Sequence, residues 1–396
     1  MNRREFLAAT AAASRVRPAH AFGSRAADRA SWRADFPVTQ ASTYLNSAAM
    51  HPLSVPAARA LQEYIDAQVY RRTRDFDAER QAELKQRFAA LVNARPSEIA
   101  FVQNTSDGEN IVVMGMDLAR RGGNVVLDEL HFETSLYMYK TLEAKGLRLR
   151  VVKHRGWRID LNDMDQAIDR ETRLVSMALV SNVNGYLHDA RAIADLAHAR
   201  GAYVFADLVQ AAGAVPVDVR AMGIDFGSTA TYKWLMGERG FGFLYVRDDL
   251  QDTVVPTTRY GHRQLAKFDR VGITWEPLPG AAKYETGTIP NALAACASRS
   301  LQYIAEIGGV PAIRAHARPL VERLQTELPK KGYAPVTPHG TETPIAAFEV
   351  RDVAAVQQKL QAANVSATLI PDEKRLRLSV SVFNNDEDID RVVAAL

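Results

Sequence analysis

Asp207 and Lys233 are the two side chains of this 396-residue sequence whose types and surroundings suit chemistry best. Asp207 closes the apolar run Tyr203-Val204-Phe205-Ala206, and Gln210 follows it. Lys233 follows the small and hydroxylated run Ser228-Thr229-Ala230-Thr231-Tyr232 and precedes Gly237, Gly240 and Gly242. A primary amine in such a place can form an imine with a carbonyl compound and, once released, act as a general base. A carboxylate at a buried strand end can hold a cationic partner. Taken singly, however, a strand-end aspartate is more often a helix cap, and a lone lysine is usually solvated. The case therefore depends on the elements around them.

Those elements alternate. Short apolar runs at 124–127, 173–180, 202–206 and 242–246 suit buried strands, and 3.6-periodic stretches such as 78–92 and 190–200 suit helices between them. This pattern predicts an α/β protein with a mostly parallel sheet covered by helices, whose ligands sit at the carboxyl ends of the strands. A long helical pattern at 291–306 leads into further elements at 345–350, 353–363, 376–380 and 387–396. The expected organisation is an N-terminal segment over 31–50, a large domain over 51–290 and a smaller α/β domain over 291–396. With 47% hydrophobic and 24% charged residues, the chain has enough apolar material for two such cores.

The remaining composition mostly excludes. A net charge of +3 without basic runs beside aromatics gives no reason to expect a nucleic-acid partner. One cysteine, Cys296, can form neither an internal disulfide nor a thiolate metal site, and no metal site is expected. Asn2-Arg3-Arg4-Glu5-Phe6-Leu7, the apolar run 8–13 and Ala19-His20-Ala21 resemble a twin-arginine export signal. Residues 1–30 are thus read as a signal to the periplasm or exterior. Arg15 and Arg17 shorten its apolar part and favour the alternative, a disordered N-terminal extension of a cytoplasmic protein. No run of about 20 apolar residues predicts a membrane span.

Five further segments occur in a telling order: Tyr44-Leu45-Asn46-Ser47-Ala48-Ala49, Phe101 to Asn110 around Asn104-Thr105-Ser106, Ser181-Asn182-Val183-Asn184-Gly185, Tyr284-Glu285-Thr286-Gly287-Thr288, and Arg377-Leu378-Ser379 before Phe383-Asn384-Asn385. With the Asp207 and Lys233 motifs they resemble the class V aminotransferase family of fold type I, which includes cysteine desulfurases, kynureninases and isopenicillin N epimerase. The resemblance runs from Tyr44 to about Leu396. It implies pyridoxal 5'-phosphate as cofactor, bound as a Schiff base on Lys233, and an amino acid or peptide-borne amine as substrate.

Site roles follow from that resemblance. Asp207 pairs with the pyridine nitrogen and keeps it protonated, so the ring accepts electrons from the substrate. Gln210 and Asn182 lie near the ring hydroxyl, although Asn182 also suits a plain turn. Thr105 and Ser106 bring a helix N-terminus to the phosphate, a geometry that a simple helix cap shares. Tyr232 reaches the phosphate, and Phe132 stacks on the ring, with His131 taking its place if the register slips by one. Thr288 comes from the other subunit of a homodimer. Arg377 offers a planar fork to the substrate carboxylate, with Asn46 nearby.

The cofactor permits transamination, racemisation or β-elimination alike, and the fold does not choose among them. Phe132, Tyr232 and Asn46 together resemble the epimerase-like subgroup, so an aminotransferase or epimerase-like reaction is expected. A C–S or C–C lyase, as in kynureninase-like members, is the alternative. A desulfurase is disfavoured because 367–374, where its thiol would lie, contains no cysteine. A nucleotide-dependent oxidoreductase lacks its G-x-G-x-x-G, and a non-catalytic binding protein would leave the lysine motif idle.

Overall fold

The computed structural model describes residues 29–71 and 76–396; the twin-arginine segment lies outside the described residues. Strand β1 (Thr43–Tyr44) precedes the main sheet, which is built from β2 (Ile99–Val102), β3 (Asn124–Asp128), β4 (Arg148–Val152), β5 (Thr172–Ala178), β6 (Tyr203–Asp207), β7 (Phe226–Ala230) and β8 (Gly242–Val246). Their order is β2-β8-β7-β6-β5-β3-β4. The pairs β7/β6, β6/β5, β5/β3 and β3/β4 are parallel, whereas β8 runs antiparallel to both its neighbours. The protein is thus α/β with a mostly parallel sheet, as its alternating pattern predicts.

Alternate side chains of each strand serve different cores. Val126, Val175 and Val204 join one cluster, while Val125, Leu127, Leu174 and Phe205 join the other. Each such side chain contributes about 1.5–3 kcal/mol when fully buried, so the sheet is fixed from both faces. Helices cover it, and two of them begin on aspartate caps: Asp77 accepts from Arg80 N ahead of Ala78–Val92, and Asp189 accepts from Ala192 N ahead of Ala190–His198. The helix Asn291–Glu306 packs on Val55–Asp66 and Ala78–Val92.

A hairpin of β9 (Leu265–Asp269) and β10 (Thr274–Pro277) projects from this body, with Val271, Ile273 and Trp275 exposed. Toward the C-terminus, β11 (Ile345–Glu349), β13 (Thr368–Ile370) and β14 (Arg375–Ser379) form an antiparallel sheet in the order β11-β14-β13. Strand β12 (Val365–Ser366) pairs in parallel with β1, and Asn46 bridges Ser379. The N-terminal segment is therefore stitched to the C-terminal elements, and Leu45 shares their core with Leu376 and Leu378. Among the described residues no helix is long and apolar enough to cross a membrane.

Candidate active site

The sheet brings the predicted residues together where its parallel strands end. Ala178, Asp207 and Ala230 are the last residues of β5, β6 and β7, and all three line a cavity of about 360 Å³. Thr105, Ser106, Phe132, Asn182, Gln210, Tyr232 and Lys233 line it too. Asn104 of the same motif as Thr105 and Ser106 completes the wall with Val180 and Val209, to which sequence reasoning had given no role.

Lys233 is held from both sides. Met236 N donates to its carbonyl at 2.8 Å, and the Tyr232 carbonyl accepts from His51 N at 2.9 Å. Gly237 closes the turn by donating to Thr231 O, and a Cβ there would lie 2.8 Å from Thr231 Cβ, which explains the glycine. Lys233 is 7% exposed, and its amine lies 5.6 Å from the centre of the Tyr232 ring. Burial pushes Lys233 down to about 8, with Asp207 opposing and Arg377 assisting. Burial likewise pushes Asp207 up to about 6, against the Val209 N–H, which donates to its Oδ1 at 2.8 Å, and against Lys233. The amine thus gives up its proton far closer to neutral pH than a solvated lysine does, and Asp207 keeps its proton to a higher pH than a solvated aspartate.

The segment after β3 presents Phe132. Asp128 accepts from Leu130 N at 2.9 Å and pairs with His188 at 3.1 Å, both side chains fully buried. Phe132 reaches the cavity wall, whereas His131 is buried behind it, 3.0 Å from Ser176 Oγ. Gln210 is more committed than expected: Nε2 donates to Ala48 O at 2.9 Å, and Oε1 accepts from Trp234 Nε1 at 2.8 Å. One amide N–H remains for a ligand.

Arg377 lies outside the cavity wall but touches it, donating to Asn182 O at 2.6 Å and to Thr368 Oγ1 at 3.2 Å. Thr368 in turn donates to Asn46 Oδ1, which links Asn46 to the arginine. Burial lowers Arg377 to about 10, with neighbouring Arg375 adding to the effect. Thr288 is not brought to the cavity; it lines a separate cleft with Arg259 and Glu285.

Thr105 Oγ1 and Asn182 Oδ1 are buried without a hydrogen-bond partner, and both residues line the cavity. Each unpaired buried group costs about 1–3 kcal/mol. A phosphate would accept from the Thr105 hydroxyl and from N–H groups at the start of helix Thr105–Gly115, and a ring hydroxyl would donate to Asn182. The residues thus fit pyridoxal phosphate. The model of the family described as aminotransferase class-V matches residues 43–392. This chain belongs to the class V aminotransferase family. It is a pyridoxal-phosphate-dependent enzyme of fold type I, as that membership entails.

Individual relatives of this class V enzyme are named for sulfur chemistry or not characterised. It is 32% identical over 304 residues to a probable cysteine desulfurase of Methanothermobacter thermautotrophicus, covering 74% of each chain. It is 27% identical over 364 residues to the uncharacterised aminotransferase YcbU of Bacillus subtilis, covering 91% of this chain and 95% of that one. The solved complex of the cystine C–S lyase C-DES with its product cysteine persulfide superposes with a TM-score of 0.81 at 20% identity, covering 91% of this chain and 98% of that one.

Proposed function

We propose that this class V enzyme is a β-eliminating C–S lyase acting on a free α-amino acid that carries sulfur on its β-carbon. The observation that carries this reading is the lack of a usable thiol in a chain so similar to a desulfurase. The stretch 367–374 holds no cysteine. Cys296 is wholly buried in helix Asn291–Glu306, and burial pushes its thiol up to about 11. Sulfur transfer to the protein therefore has no nucleophile, whereas β-elimination needs none. The names of the relatives favour this alternative over the epimerase-like reaction that Phe132, Tyr232 and Asn46 suggested.

The residues divide the work. Arg377 receives the α-carboxylate on its fork and places the Cα–H bond toward the Lys233 amine. Bound pyridoxal phosphate supplies the electron sink, and the Asp207 carboxylate holds the ring-nitrogen proton that makes the sink effective. Lys233 accepts the α-proton, the C–S bond breaks, and its electron pair leaves on sulfur. The net reaction consumes one water and yields a thiol, pyruvate and ammonia. Thr288, away from its own cavity, completes the site of a partner subunit in a homodimer. Export through the twin-arginine segment belongs to the same proposal, and cell fractionation tests it.

The decisive experiment supplies the loaded enzyme with L-cysteine, L-cystine and S-alkyl cysteines and follows sulfur products, pyruvate and ammonia. Pyruvate and ammonia in equal amounts, unchanged in Cys296→Ser and without protein-bound persulfide, support the reading. Racemised amino acid, or keto acid formed only with an amine acceptor, would sink it.

A further inference from the structure

Below the cavity floor lies a carboxylate that the reaction above does not use. Glu109 sits one helical turn beyond Thr105 in Thr105–Gly115, so the two share a face, Thr105 at the cavity and Glu109 underneath. It is 3% exposed. Among the described residues its hydrogen-bond partners are hydroxyls: Ser135 at 2.6 Å, Ser176 at 3.0 Å and Tyr139 at 3.1 Å, and no basic side chain forms an ion pair with it.

The donors define a directed chain. Phe132 N–H donates to His131 Nδ1 at 2.7 Å, so the imidazole proton is on Nε2. Nε2 then donates to Ser176 Oγ at 3.0 Å, and that hydroxyl donates to Glu109. Burial lowers His131 to about 4, which keeps the imidazole neutral, as this pattern requires. Ser176 lies two residues before Ala178 on β5, hence on the same face, and Ala178 lies opposite Asp207 in the sheet register. Burial and the charge of Asp207 push Glu109 up to about 7, while its three hydroxyl donors pull it down. A buried carboxyl without a cation is costly to keep, and such groups gather at functional sites.

We propose that Glu109 is a positioning residue of the cofactor site, fixing Phe132 against the cofactor ring through Ser176 and His131 and strengthening the hold of Asp207 on the ring-nitrogen proton. This rests on the placement of pyridoxal phosphate in the cavity. The ionised form of Glu109 adds its field to that of Asp207, with which it is electrostatically coupled, and tightens the hold on that proton. The hydroxyl chain ties the backbone of Phe132 to the same carboxylate.

The test uses the holoenzyme and its Glu109→Gln, Glu109→Asp and Ser176→Ala variants. The readouts are visible circular dichroism of the bound cofactor, affinity for pyridoxal phosphate after resolution, and stability in urea. Glu109→Gln should bind the cofactor about tenfold more weakly, a loss equivalent to one pKa unit of charge coupling. Its visible dichroism should change, and Glu109→Asp should restore part of both. Ser176→Ala should alter the dichroism with a smaller loss of affinity, and it tests the chain by itself if Glu109→Gln does not fold. Wild-type dichroism and affinity in the variants, with only urea stability reduced, would overturn the proposal. A wild-type protein without a visible cofactor band would instead overturn the underlying site assignment.

Discussion

At the residue scale, the site works by burying charge. Lys233 would be protonated at neutral pH if solvated, and desolvation brings it down to about 8. Below that value the reactive free amine grows about tenfold per pH unit, and above it the amine is fully available. The rate of cofactor attachment to the apoenzyme should therefore rise to about pH 8 and level off. Stopped-flow absorbance measures this, and a rate still climbing at pH 10 would show that Lys233 titrates as an ordinary lysine. The lowered value also makes folding more favourable as pH rises between about 8 and the unfolded lysine range, because there the unfolded chain binds more protons. Much of this site was legible as residue types: Thr105, Ser106, Phe132, Asn182, Asp207, Gln210, Tyr232 and Lys233 meet at one cavity. Glu109 was not, although its spacing of four from Thr105 places it on the same helix face. A lone glutamate in a helix reads as solvated, and only the fold shows that β5 and helix Glu133–Glu143 close over it.

At the element scale, the helix Thr105–Gly115 is the part most finely set. Its first turn faces the cavity, and its body packs on β7 with Gly108 directly against the Ser228 side chain: a Cβ on Gly108 would lie 2.8 Å from Ser228 Cβ and closer still to its hydroxyl. Gly108→Ala must push the helix away from the sheet, at a cost of about 1–3 kcal/mol typical of overpacking. Because the same helix carries Thr105 and Ser106, the variant should also bind pyridoxal phosphate more weakly. Equilibrium titration and thermal unfolding together check this; unchanged affinity beside lowered stability would show that the helix start does not hold the cofactor. Element positions were readable from periodicity, and 78–92, 242–246 and 291–306 match their elements end to end. The direction of β8 was not, since a buried apolar run looks the same in either orientation. Nor was the β9/β10 hairpin, whose exposed side chains show no buried face to alternate against.

At the scale of the whole molecule, separate stretches of chain converge on one pocket. The pairing of β1 with β12, the bridge from Asn46 to Ser379 and the pair Arg33–Asp388 at 2.8 Å tie the N-terminal segment to the C-terminal elements. Arg377 then reaches back to the Asn182 turn of the large sheet. Thr288 stands apart from this convergence. If it serves the partner's site, subunits carrying Lys233→Ala and Thr288→Ala should complement when refolded together. Half the dimers are then mixed and hold one intact site, giving about a quarter of wild-type activity by statistics. A mixture no more active than its parents would place Thr288 outside the partner's site. The claim on which all of this depends is that the cavity holds pyridoxal phosphate on Lys233. Borohydride reduction of the holoenzyme followed by peptide mass mapping tests it directly: the account predicts the pyridoxyl adduct on Lys233, and an adduct on Lys140 or Lys267 instead would contradict it.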